Sequence, residues 1–292
     1  MESIEIAGSY RAQWGEGPIW WNNRLLYVDI EGKHLLEYDP VNNTESSWDV
    51  SASIGRIGTV VPRANAGPEG RLVVAGDTGI HFFNQETNHS TAICDPESDV
   101  VENRFNDGKC SPDGRFFAGT ISTTEKSGTA TLYRLDSDLS IHQAFTGVTN
   151  SNGIVWSRDG STCYYIDTPR QEVLAFDYCP EKGLLSGLRS VIATDQIDAS
   201  PDGMAIDSDD HLWIAFCHGA CVICYDPHSG AELHRVDLPC LETTACAFGG
   251  KELNELFVTT GVHKNVVEPD AGSLLRITGL GVTGVPSHAF NG

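Results

Sequence analysis

The chain has 292 residues, and 19 Lys+Arg stand against 40 Asp+Glu for a formal net charge of −21. So acidic a surface argues against nucleic-acid phosphates and anionic membranes as partners. The 40 % of apolar residues supply a sizeable core and exclude a disordered chain, while 30 glycines and 13 prolines point to many turns between short elements.

The N-terminal run Met1-Glu2-Ser3-Ile4-Glu5-Ile6 carries two acids and no apolar h-region, so no secretory leader is expected. No stretch reaches the ~18 apolar residues that a membrane-spanning helix needs. The odd number of cysteines, nine, scattered from Cys94 to Cys246, reads as reduced thiols in a cytoplasmic protein.

Short apolar runs then recur along the chain. Leu26-Tyr27-Val28, Leu72-Val73-Val74, Phe116-Phe117-Ala118, Tyr164-Tyr165-Ile166, Leu212-Trp213-Ile214 and Leu256-Phe257-Val258 follow one another at intervals of 44 to 48 residues. Each is β-branched or aromatic and too short for a helix. Most follow a turn signal such as Ser111-Pro112-Asp113-Gly114, and each leads to another strand-like segment, such as Leu35–Tyr38 or Cys221–Cys224. Six repeats of strands without a helix predict an all-β fold, one six-bladed β-propeller domain over residues 1–292, because a ring of blades leaves no long sheet edge open. Ile4-Glu5-Ile6-Ala7 is expected to pair with C-terminal strands and close the ring.

The apolar runs are then second strands, and the innermost strands lie just before them: Gly17–Trp20, Gly58–Val61, Gly108–Ser111, Gly153–Trp156, Gly203–Ile206 and Ala245–Phe248. Five are entered through polar residues: Glu16, Asn106 with Asp107, Asn152, Asp202, and Thr243 with Thr244; Ile57 is the exception. Glu16, Asn106, Asn152 and Asp202 occupy nearly the same repeat position, and equivalent positions in a ring converge on its axis. Two carboxylates and two carboxamides at one mouth repel or raise each other's pKa unless a cation joins them, and their oxygens suit Ca²⁺, Mg²⁺ or Mn²⁺, with Zn²⁺ also acceptable. Read singly, Asn152-Gly153 and Asp202-Gly203 are ordinary turn formers.

Cys217, Cys221 and Cys224 beside His218 lack the second ligand pair of a zinc motif, and Cys221 and Cys224 face opposite sides of a strand, so buried apolar thiols are the expectation there. His218 and His263 fall in loops near the mouth, Trp14 is close enough to Glu16 to wall a pocket, and the other tryptophans read as blade packing. A Gly-x-Ser-x-Gly elbow and a phosphate-binding loop are both missing.

Taken together, Gly15-Glu16-Gly17-Pro18, Asn103-Arg104-Phe105-Asn106-Asp107-Gly108-Lys109, Ser151-Asn152-Gly153, Pro201-Asp202-Gly203-Met204 and Phe248-Gly249-Gly250 resemble the signature segments of the regucalcin family, also called senescence marker protein or gluconolactonase. The closing run Glu268–Gly272 and Ile277–Val282 is similar too, so the resemblance covers essentially the whole chain. It implies a six-bladed propeller with one divalent metal ion (Ca, Zn, Mn or Mg) and hydrolysis of a small-molecule sugar lactone to an aldonic acid. Carried over position by position, it implies Glu16, Asn152 and Asp202 as metal ligands, Asp202 also as general base, and Arg104 and Asn106 as substrate contacts; Asp107 takes a turn or supporting role. Two departures bear on sugar preference. The segment Ile121–Gly128 is shorter than in the animal proteins and places Thr124 where the family has a substrate-contacting glutamate, and the loop Gly261-Val262-His263-Lys264-Asn265 is altered. The competing readings are a calcium-binding regulatory propeller without catalysis and an aryl-ester or phosphotriester hydrolase.

Overall fold

Alternation of apolar and polar residues within each repeat gives strands that bury one face against the neighbouring sheet. The computed structural model describes residues 2–124 and 126–292, and in it the described residues form six four-stranded antiparallel sheets. Strand β1 (Ser3–Ala7) precedes the first sheet, which is β2 (Gly15–Trp21), β3 (Arg24–Asp29), β4 (His34–Asp39) and β5 (Thr44–Asp49). The second sheet is β6 (Ile57–Gly67), β7 (Gly70–Gly76), β8 (Gly79–Asn84) and β9 (His89–Cys94). The third is β10 (Asn103–Cys110), β11 (Phe116–Ser122), β12 (Ala130–Leu135) and β13 (Ile141–Val148). The fourth is β14 (Ser151–Trp156), β15 (Thr162–Asp167), β16 (Glu172–Cys179) and β17 (Leu184–Ala193). The fifth is β18 (Ser200–Ile206), β19 (Leu212–Cys217), β20 (Cys221–Tyr225) and β21 (Glu232–Asp237). The last takes β22 (Thr243–Gly249), β23 (Glu255–Thr260) and β24 (Leu274–Thr278) from the C-terminal part and receives β1 as its outer strand.

The six predicted apolar runs are the second strands, and the first strands touch one another in a closed ring, β2 to β6 to β10 to β14 to β18 to β22 and back to β2. This is the six-bladed β-propeller. Ile4–Ala7 pairs with Leu274–Ile277, so the expected closure is the one observed. Second strands such as β19 are buried along their whole length, whereas outer strands such as β5 are mostly exposed, so the core lies between blades. Large side chains seal these seams: Trp20 of the first blade stacks on Phe257 of the last at 5.5 Å, and Phe117 meets Trp156 at 5.2 Å. All nine cysteines are free thiols, and no helix among the described residues is long and apolar enough to cross a membrane.

Two features of the ring prepare the axis. The C-terminal segment crosses its far end: Phe290 exchanges backbone hydrogen bonds with Pro62 and Ala64, and Val285–His288 share a cavity with Ile19, Cys110, Val155 and Cys246. The other feature is a β-bulge in every first strand. Glu16 and Ile19 pair with Val28 and Leu26, Phe105 and Gly108 with Thr120 and Ala118, and Pro201 and Met204 with Phe216 and Ile214. The remaining blades show the same single extra residue at Gly58, Gly153 and Thr244. A bulge breaks the two-residue alternation and re-aims the side chains beside it.

Candidate metal and substrate site

The residues at the bulges are the ones singled out by repeat position. Glu16, Asn106, Asp107, Asn152 and Asp202 are all buried. Glu16, Arg104, Asn106, Asn152 and Asp202 line one cavity of about 220 Å³, together with Trp14, Thr168, Cys217 and His218. The equivalent positions in the other two blades point elsewhere for a visible reason. Thr59 Oγ1 donates to the Gly108 carbonyl at 2.9 Å, and Thr244 Oγ1 donates to the Gly15 carbonyl at 2.6 Å, so both hydroxyls tie neighbouring first strands together.

Hydrogen bonds fix the amides in a chain. Arg104 Nη1 donates to Asn106 Oδ1 at 2.8 Å; Asn106 Nδ2 donates to the Ser151 carbonyl at 2.8 Å and to Asn152 Oδ1 at 3.0 Å. Asn152 Nδ2 donates to Thr168 Oγ1 at 2.8 Å, and Thr168 donates on to the Pro201 carbonyl at 2.9 Å. Asn152 Oδ1 therefore keeps one lone pair free, as a metal ligand must. Asn106 is more than the substrate contact the resemblance implies, because its amide also orients Asn152. Arg104 Nε is buried without a partner.

Burial, with neighbouring acids adding to it, pushes Glu16, Asp107 and Asp202 above the usual carboxylate range. Burial lowers Arg104 to about 10, which leaves it charged at neutral pH. Glu16 accepts from the Gly17 amide at 2.8 Å and Asp107 from the Gly108 amide at 2.7 Å, but Asp107 Oδ2 has no partner. Three buried acids compensated so incompletely are a donor set for a hard divalent cation, which the residues fit. Thr124 is exposed, bonded to Ser122 Oγ at 3.2 Å, and lies outside the lining of this cavity.

Among the described residues, two groups place Asp, Glu, His or Cys ligand atoms within 4.8 Å of one another: Asp207, His211 and Cys224, and Cys217, His218 and Glu242. Asp207 is consumed locally, since it accepts from the Asp209 and His211 amides and from Trp213 Nε1, each at 2.9 Å. The second group borders the cavity. Cys217 and His218 are thus not the plain apolar corner that ligand spacing suggests. Their partner Glu242 escapes sequence reading because it stands outside the repeat position that marks the axial acids.

Residues 14–262 match the family described as SMP-30/Gluconolactonase/LRE-like region. Regucalcin of Gallus gallus is 36 % identical over 301 residues, 99 % of this chain and 98 % of the relative, and that of Danio rerio is 37 % identical over 298 residues, with the same coverage of both chains. Among solved structures, a luciferin-regenerating enzyme superposes with a TM-score of 0.91 at 27 % identity over 100 % of both chains. A calcium-binding protein, regucalcin, from Agrobacterium tumefaciens shares the fold with a TM-score of 0.90 at 23 % identity, covering 99 % of this chain and 97 % of that one.

Proposed function

This chain belongs to the SMP-30/gluconolactonase/LRE-like family, and from that premise we propose that it is a divalent-metal-dependent hydrolase opening sugar lactones to aldonic acids. The observation that carries the reading is the convergence of Glu16, Asn152 and Asp202 with Arg104 and Asn106 on one cavity. Glu16, Asn152 and Asp202 are the proposed ligands. A bound divalent ion supplies Lewis acidity toward the ester carbonyl and makes water more acidic.

The chain's own groups do the rest. Asp202 accepts a proton from the attacking water at a carboxylate oxygen. That water adds to the carbonyl carbon, the ring C–O bond breaks, and the ring oxygen leaves with a proton as a hydroxyl. Arg104 offers its unpartnered Nε–H to substrate oxygens and to the carboxylate product. Asn106 holds Asn152 in place through Nδ2 and offers its remaining Oδ1 lone pair to a sugar hydroxyl. Trp14 covers one wall with an apolar face.

A non-catalytic calcium-binding propeller would need no such arginine and amide beside its ligands. To separate the two, aldonolactones are offered in weak buffer and acid release is followed with metal, with chelator and with Asp202→Ala. The expected result is turnover that chelator stops and metal restores, and a loss of at least ~10²-fold in kcat/KM for the variant. Absence of chelator-sensitive turnover on every lactone tried rejects the hydrolase.

A further inference from the structure

Beside the oxygen-rich site lies a group of different chemistry, built from elements that the repeat does not relate. Cys217 ends β19, His218 begins the turn to β20, Glu242 immediately precedes β22, and His263 lies in the loop after β23. Cys217 Sγ donates to Glu242 Oε2 at 3.0 Å, and His218 Nδ1 lies 2.8 Å from the same oxygen. Glu242 is 1 % exposed and Cys217 6 %, while the His218 side chain is 55 % exposed. His218 takes a left-handed backbone, φ 66°, in a turn where glycine would sit at lower cost. His263 Nδ1 accepts the Asn265 amide at 3.0 Å, which leaves Nε2 as the protonated nitrogen; it faces Glu242 Oε1 at 3.8 Å.

We propose that Cys217, His218 and Glu242 form a second metal site that takes Zn²⁺ at the rim of the axial cavity, distinct from the oxygen site of Glu16, Asn152 and Asp202. A thiolate, an imidazole and a carboxylate form a borderline-soft set, whereas carboxylates and a carboxamide form a hard one, so the two sites select different ions. Three protein ligands leave a fourth position for water or substrate, and His218 and Cys217 already line the cavity that the substrate would enter. On binding, the ion takes the place of the protons that now sit between these groups: Cys217 loses its thiol proton, and the His218 imidazole carries its proton on Nε2. His263 steadies the Glu242 oxygen from the other side rather than ligating. The inference does not depend on lactone turnover.

The test uses the whole chain stripped of metal, with Co²⁺ as the probe, because a cobalt–thiolate bond gives a near-ultraviolet charge-transfer absorption that oxygen and nitrogen ligands do not. One equivalent of Co²⁺ is expected to raise this band, Zn²⁺ to remove it, and excess Ca²⁺ to leave it. The band is expected to vanish in Cys217→Ser and to persist in Asp202→Ala. His218→Ala, an exposed change, keeps the proposal testable if Cys217→Ser folds poorly; it should weaken Co²⁺ binding by at least ~10-fold. No thiolate band in the wild-type chain, a band that survives Cys217→Ser, or Co²⁺ affinity unchanged in His218→Ala overturns the site. A band lost in Asp202→Ala or to Ca²⁺ overturns the claim that there are two.

Discussion

Glu16, Asp107 and Asp202 are each buried, each acidic and each raised above their ordinary range, Glu16 to about 8, with burial as the main cause. The sign of the consequence follows from proton counting. Between the ordinary carboxylate pKa and about 8 the folded, metal-free chain holds protons that the unfolded chain has released, so unfolding becomes easier as pH rises through that window. The stability is fully present below the unfolded pKa and is lost toward the folded one. A divalent ion bound to the folded chain reverses this, adding about 2.7 kcal/mol at a hundredfold excess over Kd. Thermal unfolding of the stripped protein should therefore shift to lower temperature from pH 5 to pH 8, and saturating Ca²⁺ should flatten the profile. Glu16→Gln should weaken both the pH dependence and the response to metal. A metal-free profile that is flat, or that rises, would show that these acids are not held protonated by burial.

The bulges carry the argument at the scale of the strand. First strands of adjacent blades approach so closely that Gly203 is required for space alone: a Cβ there would collide with the Ala245 side chain and lie 2.6 Å from Ala245 Cα. Gly153 is similar, with Met204 Cβ at 2.7 Å. Each glycine follows a proposed ligand, so the contact that forbids a side chain also fixes the Asp202 or Asn152 beside it. Gly203→Ala is expected to cost about 1–3 kcal/mol through overpacking and to weaken metal binding, read by urea unfolding and calorimetric metal titration; an unchanged midpoint with unchanged affinity would reject the link. This is also why so much could be read from sequence. Repetition makes Glu16, Asn106, Asn152 and Asp202 visible as one position, and the apolar runs visible as second strands, because the ring imposes one geometry six times. Glu242, Cys217 and His218 obey no such period. They meet because a turn of the fifth blade leans on the entry to the sixth, a contact between loops that only the folded ring creates. The Asn106 amide was likewise legible as polar and axial, but its grip on Asn152 depends on a 3.0 Å contact across two blades.

For the molecule as a whole, closure decides whether six sheets behave as one body. Without β1, the edge of β24 would present free backbone donors and acceptors, and an open edge invites pairing with another chain. β1 itself buries little: only Ala7 of its residues is buried, and Ile4 and Ile6 are 39 % exposed. Its contribution is therefore the ladder from Ser3–Thr278 to Ala7–Leu274, reinforced where Arg276 bridges Glu5 at 2.8 Å and Glu255 at 2.7 Å. Net backbone hydrogen bonds contribute about 1 kcal/mol each, so deleting residues 1–7 should lower stability by roughly 3 kcal/mol and the melting temperature by several degrees. Size-exclusion chromatography should show concentration-dependent self-association of the deleted chain through the bared β24. Metal affinity at the axis should stay within about twofold, because a change of 1.4 kcal/mol is needed for tenfold and β1 is the strand farthest from β22 in its sheet. A truncated chain that stays monomeric at full stability would mean that closure rests on the seam between Trp20 and Phe257 instead. Lost metal affinity would mean that the outer strand holds the first strands in register.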